Sequence, residues 1–419
     1  MIIMGELDGY RQLYSLSAQV DDWRSDLGKR HLLTEVMFIM VLAILAGAQN
    51  CEDIHYFAKE NADWLRQFLT LKHGIPHHDM YLRTLAAVPP EQFEALVRAW
   101  AVALRAPGAL SAAGSQVAFD GQTLRGSLDR ASGQSAVHMV SAYLVEAGFT
   151  LGSKAVDAKG NEILAIPELM RTLNLKGATV TIDAMGCQRE IAATAREVGA
   201  HYQLQVKENQ PTLLQNIKDS MAEATRRRRP GEGVGPKLDR HKDVDKGHGR
   251  IETRVCVLSR DLSGIEKRED WEDLSGIASV ARERTDVISG KTSQEISYYI
   301  VSDPTATARD VERLARGHWA IENGLHWSLD VVWGSDAHTI RERNAAQNMA
   351  RLRRFCAGMV KASAGWGCSQ RQVRNRCGWN PWNLLRLLRG DVFEKERTKV
   401  MPVKMRKARE AAARVAKKK

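Results

Sequence analysis

Three acidic residues carry the chemistry open to this sequence: Asp120 in "AFDG", Asp183 in "VTIDAMG" and Glu322 in "GHWAIENGLHWSLDVVWG". Asp120 follows Val117, Ala118 and Phe119, and Asp183 follows Val180, Thr181 and Ile182, so each acid stands where an apolar strand reaches its end or an exposed edge. A turn or a helix cap explains one such acid. Two of them on neighbouring strands would face each other at close range, which is costly unless a cation lies between them. Glu322 becomes a third ligand if its helix packs on the same sheet. Three carboxylates with little imidazole or thiolate around them favour a hard, oxygen-seeking ion, magnesium or manganese. A pair of such ions activates a water or hydroxyl and stabilises the leaving oxygen in phosphodiester chemistry.

The segment around Glu322 predicts a helix with two faces. At 100° per residue, Ile321, Leu325, Leu329 and Val332 fall within roughly 80° and form a core stripe, while Trp319, Glu322, His326, Asp330 and Trp333 fall within another arc of roughly 80° on its flank. The helix alone admits two readings, a ligand carboxylate at the edge of burial or a solvated one among interface aromatics. Smaller candidates are equally two-sided. Arg125, Lys207 and Arg250 fit phosphate contacts or surface ion pairs. His326, one turn after Glu322, fits a residue that orients the carboxylate or touches DNA, or a satisfied half-buried histidine. Trp319 and Trp333 fit base stacking or core packing. "PHHD" (76–79) has metal-like residue types but is read as a helix start.

The elements that must position these residues change character along the chain. Residues 10–105 carry leucine and tryptophan at helical spacing, with breaks at "KHGIPHHD" and "AVPPEQ", and the small-residue stretch "RAPGALSAAGS" marks a boundary near residue 110. Three strand-like runs come next, "QVAFDGQTL", "VHMVSAYLVEAG" and "FTLGSKAVDA". After them come a helix ("EILAIPELMRTLNL"), the strand ending in Asp183, a helix, the strand "AHYQLQVK" and a helix from "QPTLLQ". That order predicts a three-layer mixed α/β domain over residues 111–340. Residues 230–305 read as a β-rich insertion, Gly-rich and charged at first and then strand-like in "VCVLS", "IASVARERTDV" and "EISYYIVSD". No GxGxxG or P-loop stands at a strand end, which argues against a nucleotide cofactor.

At 419 residues the chain has length for two or three domains. Its longest apolar run, "VMFIMVLAILAGA" (36–48), is too short for a bilayer and reads as a buried helix. "MIIMGELDGY" lacks the pattern of a signal peptide, so the expectation is a cytoplasmic, nucleoid-associated bacterial protein without a membrane partner. The six cysteines contain no CxxC pair and read as reduced, structural thiols. The net charge of +11 is concentrated at one end. Residues 341–419 hold 22 Lys/Arg against 5 Asp/Glu, leaving 39 (61 − 22) against 45 (50 − 5) before them. The part 341–396 mixes arginines with aromatics and leucines, as a folded helical element on a polyanion would. The part 397–419 is a basic tail that fits an arm gaining order on nucleic acid, or a solubilising tail.

Five ordered motifs, "AFDGQTLRGS", "TIDAMGCQ", "KENQPTLL", "HGRIETR" and "HWAIENGLHWSLDV", together with the helical front part, resemble the DDE transposases of bacterial insertion sequences, in the branch of the H-repeat-associated proteins. The resemblance implies a ribonuclease-H-like core, with a β-rich insertion, whose Asp120, Asp183 and Glu322 bind two Mg2+ or Mn2+ ions. The gaps are 63 residues (183 − 120) and 139 residues (322 − 183). Where the wider group has Tyr, Arg and Lys around the Glu, this chain has Ala315, His318 and Leu329. It places His318, Trp319, Asn323, His326, Trp327 and Asp330 there instead, so roles known for the other pattern do not transfer. Gln122 replaces an expected lysine, and Ser335 an expected acid before Asp336.

The implied function is a transposase that binds the terminal inverted repeats of its element through the helical region 1–110. It would cut there and join the freed 3′ hydroxyl to target DNA. His318, Trp319 and His326, with Arg125, Lys207 and Arg250, are the candidate DNA contacts. Synapsis of paired ends makes a homodimer the expectation by analogy. Two rivals remain at this point: a metal-dependent nuclease that cuts without joining, and a DNA-binding descendant of a transposase that no longer cuts.

Overall fold

The computed structural model describes residues 8–25, 29–105, 108–129, 133–156, 161–226, 238–247 and 249–395; the basic tail expected at 397–419 lies outside them. Among the described residues, six helices open the chain: α1 (Asp8–Ser17), α2 (Leu33–Ala46), α3 (Cys51–Glu60), the single turn α4 (Ala62–Leu65), α5 (His78–Ala87) and α6 (Pro90–Leu104). The apolar run expected to be a buried helix forms α2, which is buried on every side and ends at Gly47, whose φ of 126° suits glycine. "PHHD" does start a helix, α5. No single described helix is long and apolar enough to cross a membrane.

The α/β part is built on one nine-stranded mixed sheet of order β3-β2-β1-β4-β5-β9-β8-β7-β6. β1 (Gln116–Leu124), β2 (Val137–Leu144) and β3 (Phe149–Val156) form an antiparallel meander. Helix α7 (Glu162–Arg171) leads to β4 (Thr179–Ile182), parallel to β1, and α8 (Arg189–Glu197) leads to β5 (His201–Val206), parallel to β4. Helix α9 (Pro211–Arg226) comes after β5. The expected β-rich insertion extends the same sheet. β6 (Asp239–Gly247), β7 (Arg250–Ser259), β8 (Gly276–Asp286) and β9 (Thr292–Val301) run antiparallel, and β9 joins β5. Sequence reading missed β6, whose "DRHKDVDKG" has no apolar alternation; as an edge strand it needs none, and its charges discourage further pairing.

Side chains alternate across the sheet, as the strand period requires. Val117 and Phe119 enter the core beneath α7, α8 and α9, whereas Ala118 and Leu124 face the opposite layer. That layer contains α10 (Ala308–Ala320), a π-helical segment (Ile321–His326), the short α11 (Trp327–Val331) and α12 (Arg343–Ser363), with α13 (Gln370–Trp379) and α14 (Trp382–Leu388) after them. The opening helices and α12–α14 fill one continuous core with this face of the sheet, although the sequence places them on opposite sides of the α/β region. Part of the basic charge of 341–396 turns inward, on α12 and α13. Arg351, Arg353, Arg354 and Arg374 are buried and bond to protein atoms, because the interface they fill offers carbonyls and Glu94 as partners.

Candidate active site

Parallel pairing of β1 with β4 sets Phe119 opposite Ile182, and the next residue on each strand is an aspartate. Asp120 and Asp183 therefore leave the sheet side by side, on the face shared by Ala118 and Thr181. Asp120 Oδ1 accepts the Gly121 N–H at 2.8 Å, and its Oδ2 lies 3.4 Å from His326 Nδ1. Asp183 caps the single turn after β4, accepting the Gly186 N–H at 3.3 Å. That turn is tight enough to require glycine, since a Cβ on Gly186 would stand 2.1 Å from Ile182 Cγ2.

Glu322 arrives from the helical layer. A capping box between Thr307 and Asp310 starts α10, whose backbone is anchored to the sheet by Gln116 Nε2 donating to Leu314 O and Gln203 Nε2 donating to Val311 O, at 2.8 and 3.1 Å. Close approach is possible because residue 317 is glycine; a Cβ there would stand 2.1 Å from Gln116 Oε1. Ile321, Leu325 and Leu329 are buried as the sequence predicts, and Val332 is partly buried against the same core. Residues 321–326 are wound as a π-helix, however, and this changes the phase of the residues after them. Trp333, on the flank with Glu322 in a regular helix, takes the core-packing reading: it is buried, with the Arg374 guanidinium 4.0 Å from its ring centroid.

A cavity of about 160 Å³ lies between sheet and helix, lined by Thr181, Asp183, Lys207, His318, Trp319 and Glu322 among others. Its electrostatics couple the three acids. Burial and the charge of Asp120 raise the Asp183 carboxyl above the usual range. Burial raises Glu322 as well, with Asp120 and Asp183 pushing the same way and His326 and Lys207 opposing. Burial also disfavours the charge on Asp120, but the hydrogen bond and charge of His326, with help from His318, outweigh it and hold that carboxyl below the usual range. His318 is itself held low by burial, and its Nδ1 lies 3.2 Å from Thr181 Oγ1. The Nε2 atoms of His318 and His326 are both buried without a hydrogen-bond partner.

Of the candidates from sequence, the structure brings together Asp120, Asp183, Glu322, Lys207, His318, Trp319 and His326. Arg125 and Arg250 stay apart. Arg125 is exposed beyond β1 and pairs with Asp336 at 3.7 Å. Arg250 starts β7 opposite Asp286, at the hairpin end of the sheet, and lines neither of the cavities beside α10. Trp319, half-exposed, also lines a second cavity of about 380 Å³ between α10 and β7–β9, where Arg282 lies 5.7 Å from its ring centroid and Arg254 is buried near Glu252 and Glu312. Sequence reading missed that cleft, the partners of Gln122 and a buried polar pair beside the acids. Gln122 donates to Asp330 at 2.8 Å and accepts from Arg354 at 3.1 Å, which accounts for an amide where a lysine was expected. His138 and Glu162 form a buried pair at 2.5 Å.

The donor set fits hard divalent cations: three carboxylates, of which Asp183 and Glu322 are raised by burial and by the charge of Asp120, with two orphaned imidazole nitrogens beside them. Among the described residues, only His77, His78 and Asp79 bring three ligand atoms within 4.8 Å of one another, so Asp120, Asp183 and Glu322 stand farther apart than that.

Residues 16–101 match the family described as "DDE_Tnp_1-associated", and residues 112–359 match "Transposase DDE domain". The chain is 31% identical over 345 residues to "H repeat-associated putative transposase YhhI" of Escherichia coli (strain K12), covering 81% of this chain and 88% of that one. It is 32% identical over 344 residues to "Putative transposase YncI" of Escherichia coli O157:H7, covering 82% and 85%. A piggyBac transposase synaptic complex with hairpin DNA aligns with 96% of this chain and 80% of that one, at a TM-score of 0.39 and 10% identity. With the motifs around Asp120, Asp183 and Glu322 inside the matched region, the chain belongs to the transposase DDE domain family, in the branch of the H-repeat-associated proteins.

Proposed function

We propose that the protein binds the terminal inverted repeats of an insertion sequence, cleaves DNA at the element's ends and joins the freed 3′ hydroxyl to target DNA. The observation that carries this reading is the pairing of Asp120 and Asp183 at the ends of adjacent parallel strands, with Glu322 electrostatically coupled to both. The strand order β3-β2-β1-β4-β5, an antiparallel meander and then two strands parallel to β1, supports assigning a ribonuclease-H-like core. Asp120, Asp183 and Glu322 are the residues assigned to hold two Mg2+ or Mn2+ ions. When bound, such ions activate the attacking oxygen and offset charge on the leaving one.

The chain's own groups do the rest. His326 holds one oxygen of Asp120, leaving the acid ionised and oriented. Lys207, exposed at the end of β5 and lining the cavity, supplies positive charge for a phosphate. Trp319 offers an aromatic wall to the same cavity. The test uses a labelled donor end, a target plasmid and Mg2+. Wild-type protein is expected to give joined product, and Asp120→Asn, Asp183→Asn and Glu322→Gln to give neither nicked nor joined product while still retarding end DNA in a gel. Cleavage without joining by the wild type reassigns the protein as a nuclease. Full strand transfer by all three variants removes the assignment of the acids.

A further inference from the structure

We infer that His138 and Glu162, tied to Thr123, form a buried brace that positions Asp120 and Asp183 for cation binding. The inference rests on the metal reading of those acids. Beyond Phe119, β1 runs on to Leu124 without β4 beside it, because β4 ends at Ile182. The stretch that carries Asp120 is thus held by the sheet only on its β2 side. On that side Thr123 stands opposite His138, and their Oγ1 and Nδ1 atoms are 2.8 Å apart. The second ring nitrogen, Nε2, meets Glu162 Oε1 from the first turn of α7 at 2.5 Å. Each ring nitrogen therefore has a partner, which fixes the imidazole plane.

The pair lies directly beneath the catalytic strand. A Cβ on Gly121 would stand 2.3 Å from His138 Nε2 and 2.5 Å from Glu162 Oε1, so the residue after Asp120 has to be glycine for the brace to fit. Its polar atoms therefore press on the backbone between Asp120 and Gln122 from the face opposite the Asp120 side chain. The charge of Glu162 also reaches Asp183. His138 and Glu162 are 3% and 6% exposed, in a layer otherwise filled by Ala165, Ile166, Val140 and Ile182. An apolar pair would serve that core at lower desolvation cost. What the polar pair adds is a fixed backbone under Asp120 and negative charge beside Asp183, the role that outer partners play around metal ligands.

The test is Mn2+ binding to the metal-free full-length protein, read by electron paramagnetic resonance, for the wild type, Glu162→Gln, His138→Gln and Thr123→Val. Ile166→Val, in the same helix and core, is the control for stability alone. Glu162→Gln and His138→Gln are expected to weaken Mn2+ binding about 10- to 100-fold, Thr123→Val less, and Ile166→Val not at all. Binding within twofold of wild type in Glu162→Gln and His138→Gln overturns the brace while leaving the metal reading intact. If those two variants fail to fold, Thr123→Val at the exposed end decides, and unchanged binding there overturns it. A wild-type protein that binds no Mn2+ overturns the metal reading, and the brace with it.

Discussion

His338 shows what a single residue costs in this core. It is buried in the segment after α11, its Nδ1 has no partner, and its carbonyl oxygen fills the space where a Cβ on Gly126 would go. Burial first, and the charge of Arg353 second, lower it from 6.5 to about 4. The folded protein thus holds it neutral while an unfolded chain protonates it near 6.5. Stability from this source is complete above pH 6.5 and is lost as pH falls toward 4. Between pH 7 and pH 5 the loss amounts to about 2 kcal/mol. Urea denaturation at the two pH values is expected to show a fall in His338→Gln smaller than that of the wild type by about this amount, since His318, also held low by burial, still contributes; an equal fall in both would exclude His338 as a cause. Asp183 and Glu322, whose carboxyls are raised, act in the opposite sense, because their protonation removes a buried charge and also relieves repulsion from Asp120. Asp120 and Asp183 stand out in sequence because each is an aspartate ending an apolar run, and Glu322 because it interrupts the flank of a helical stripe. His138, Glu162 and Gln122 do not, because a polar residue inside an apolar run does not name the partner that satisfies it.

At the scale of elements, strands β1, β4 and β5 and helices α7 and α8 could be read from period and turn residues, since burial on one face or two writes itself into the sequence. The segment carrying Glu322 was legible as a helix but not in its winding. A regular α-helix would keep Glu322 and Trp333 on one flank; the π-helical stretch inserts the equivalent of one residue and turns the later side chains by about 100°. No residue type in "IENGLH" announces that change, which depends on docking Leu314 and Ala315 against β1 and β7–β9 while Leu325 and Leu329 enter the other core. Deleting the exposed Asn323 removes the extra residue. The deletion is expected to restore an α-helix and keep Glu322 in its present phase to Leu329, because the residue lost and the winding regained offset each other at about 100° each. The chain should remain folded by circular dichroism, because α10 keeps its capping box, and retain DNA cleavage. Loss of cleavage by the folded, deleted protein would show that the π winding itself has a part in presenting Glu322.

Across the whole molecule, the helices before residue 105 and after residue 343 depend on each other. Asn348 in α12 donates to the carbonyls of Leu85 and Val88, both at 2.8 Å, and Arg374 in α13 donates to Ile44 O at 3.2 Å. Glu94 in α6 ties three parts together, accepting from Ser153 N and Oγ on β3, each at 2.9 Å, and from Arg351 Nε on α12 at 3.0 Å. The sequence could not disclose this, because a boundary near residue 110 and a basic stretch after 341 look like the edges of separate units; only the partners of the arginines reveal a shared interior. Removing one member of a buried, hydrogen-bonded ion pair strands the other in a medium that cannot solvate it, at about 3–5 kcal/mol, whereas replacing both with apolar groups of similar size costs far less. Glu94→Leu is therefore expected to lower unfolding stability by about that amount, with Ser153 losing its acceptor as well, and Arg351→Met to lower it too. The double variant Glu94→Leu/Arg351→Met should be more stable than Glu94→Leu alone, as urea denaturation of the four proteins would measure. Strictly additive losses would mean that the two charges do not need each other. In that case the link between the opening helices and α12 would rest on apolar packing and hydrogen bonds such as those of Asn348, and Glu94 would serve only to anchor β3.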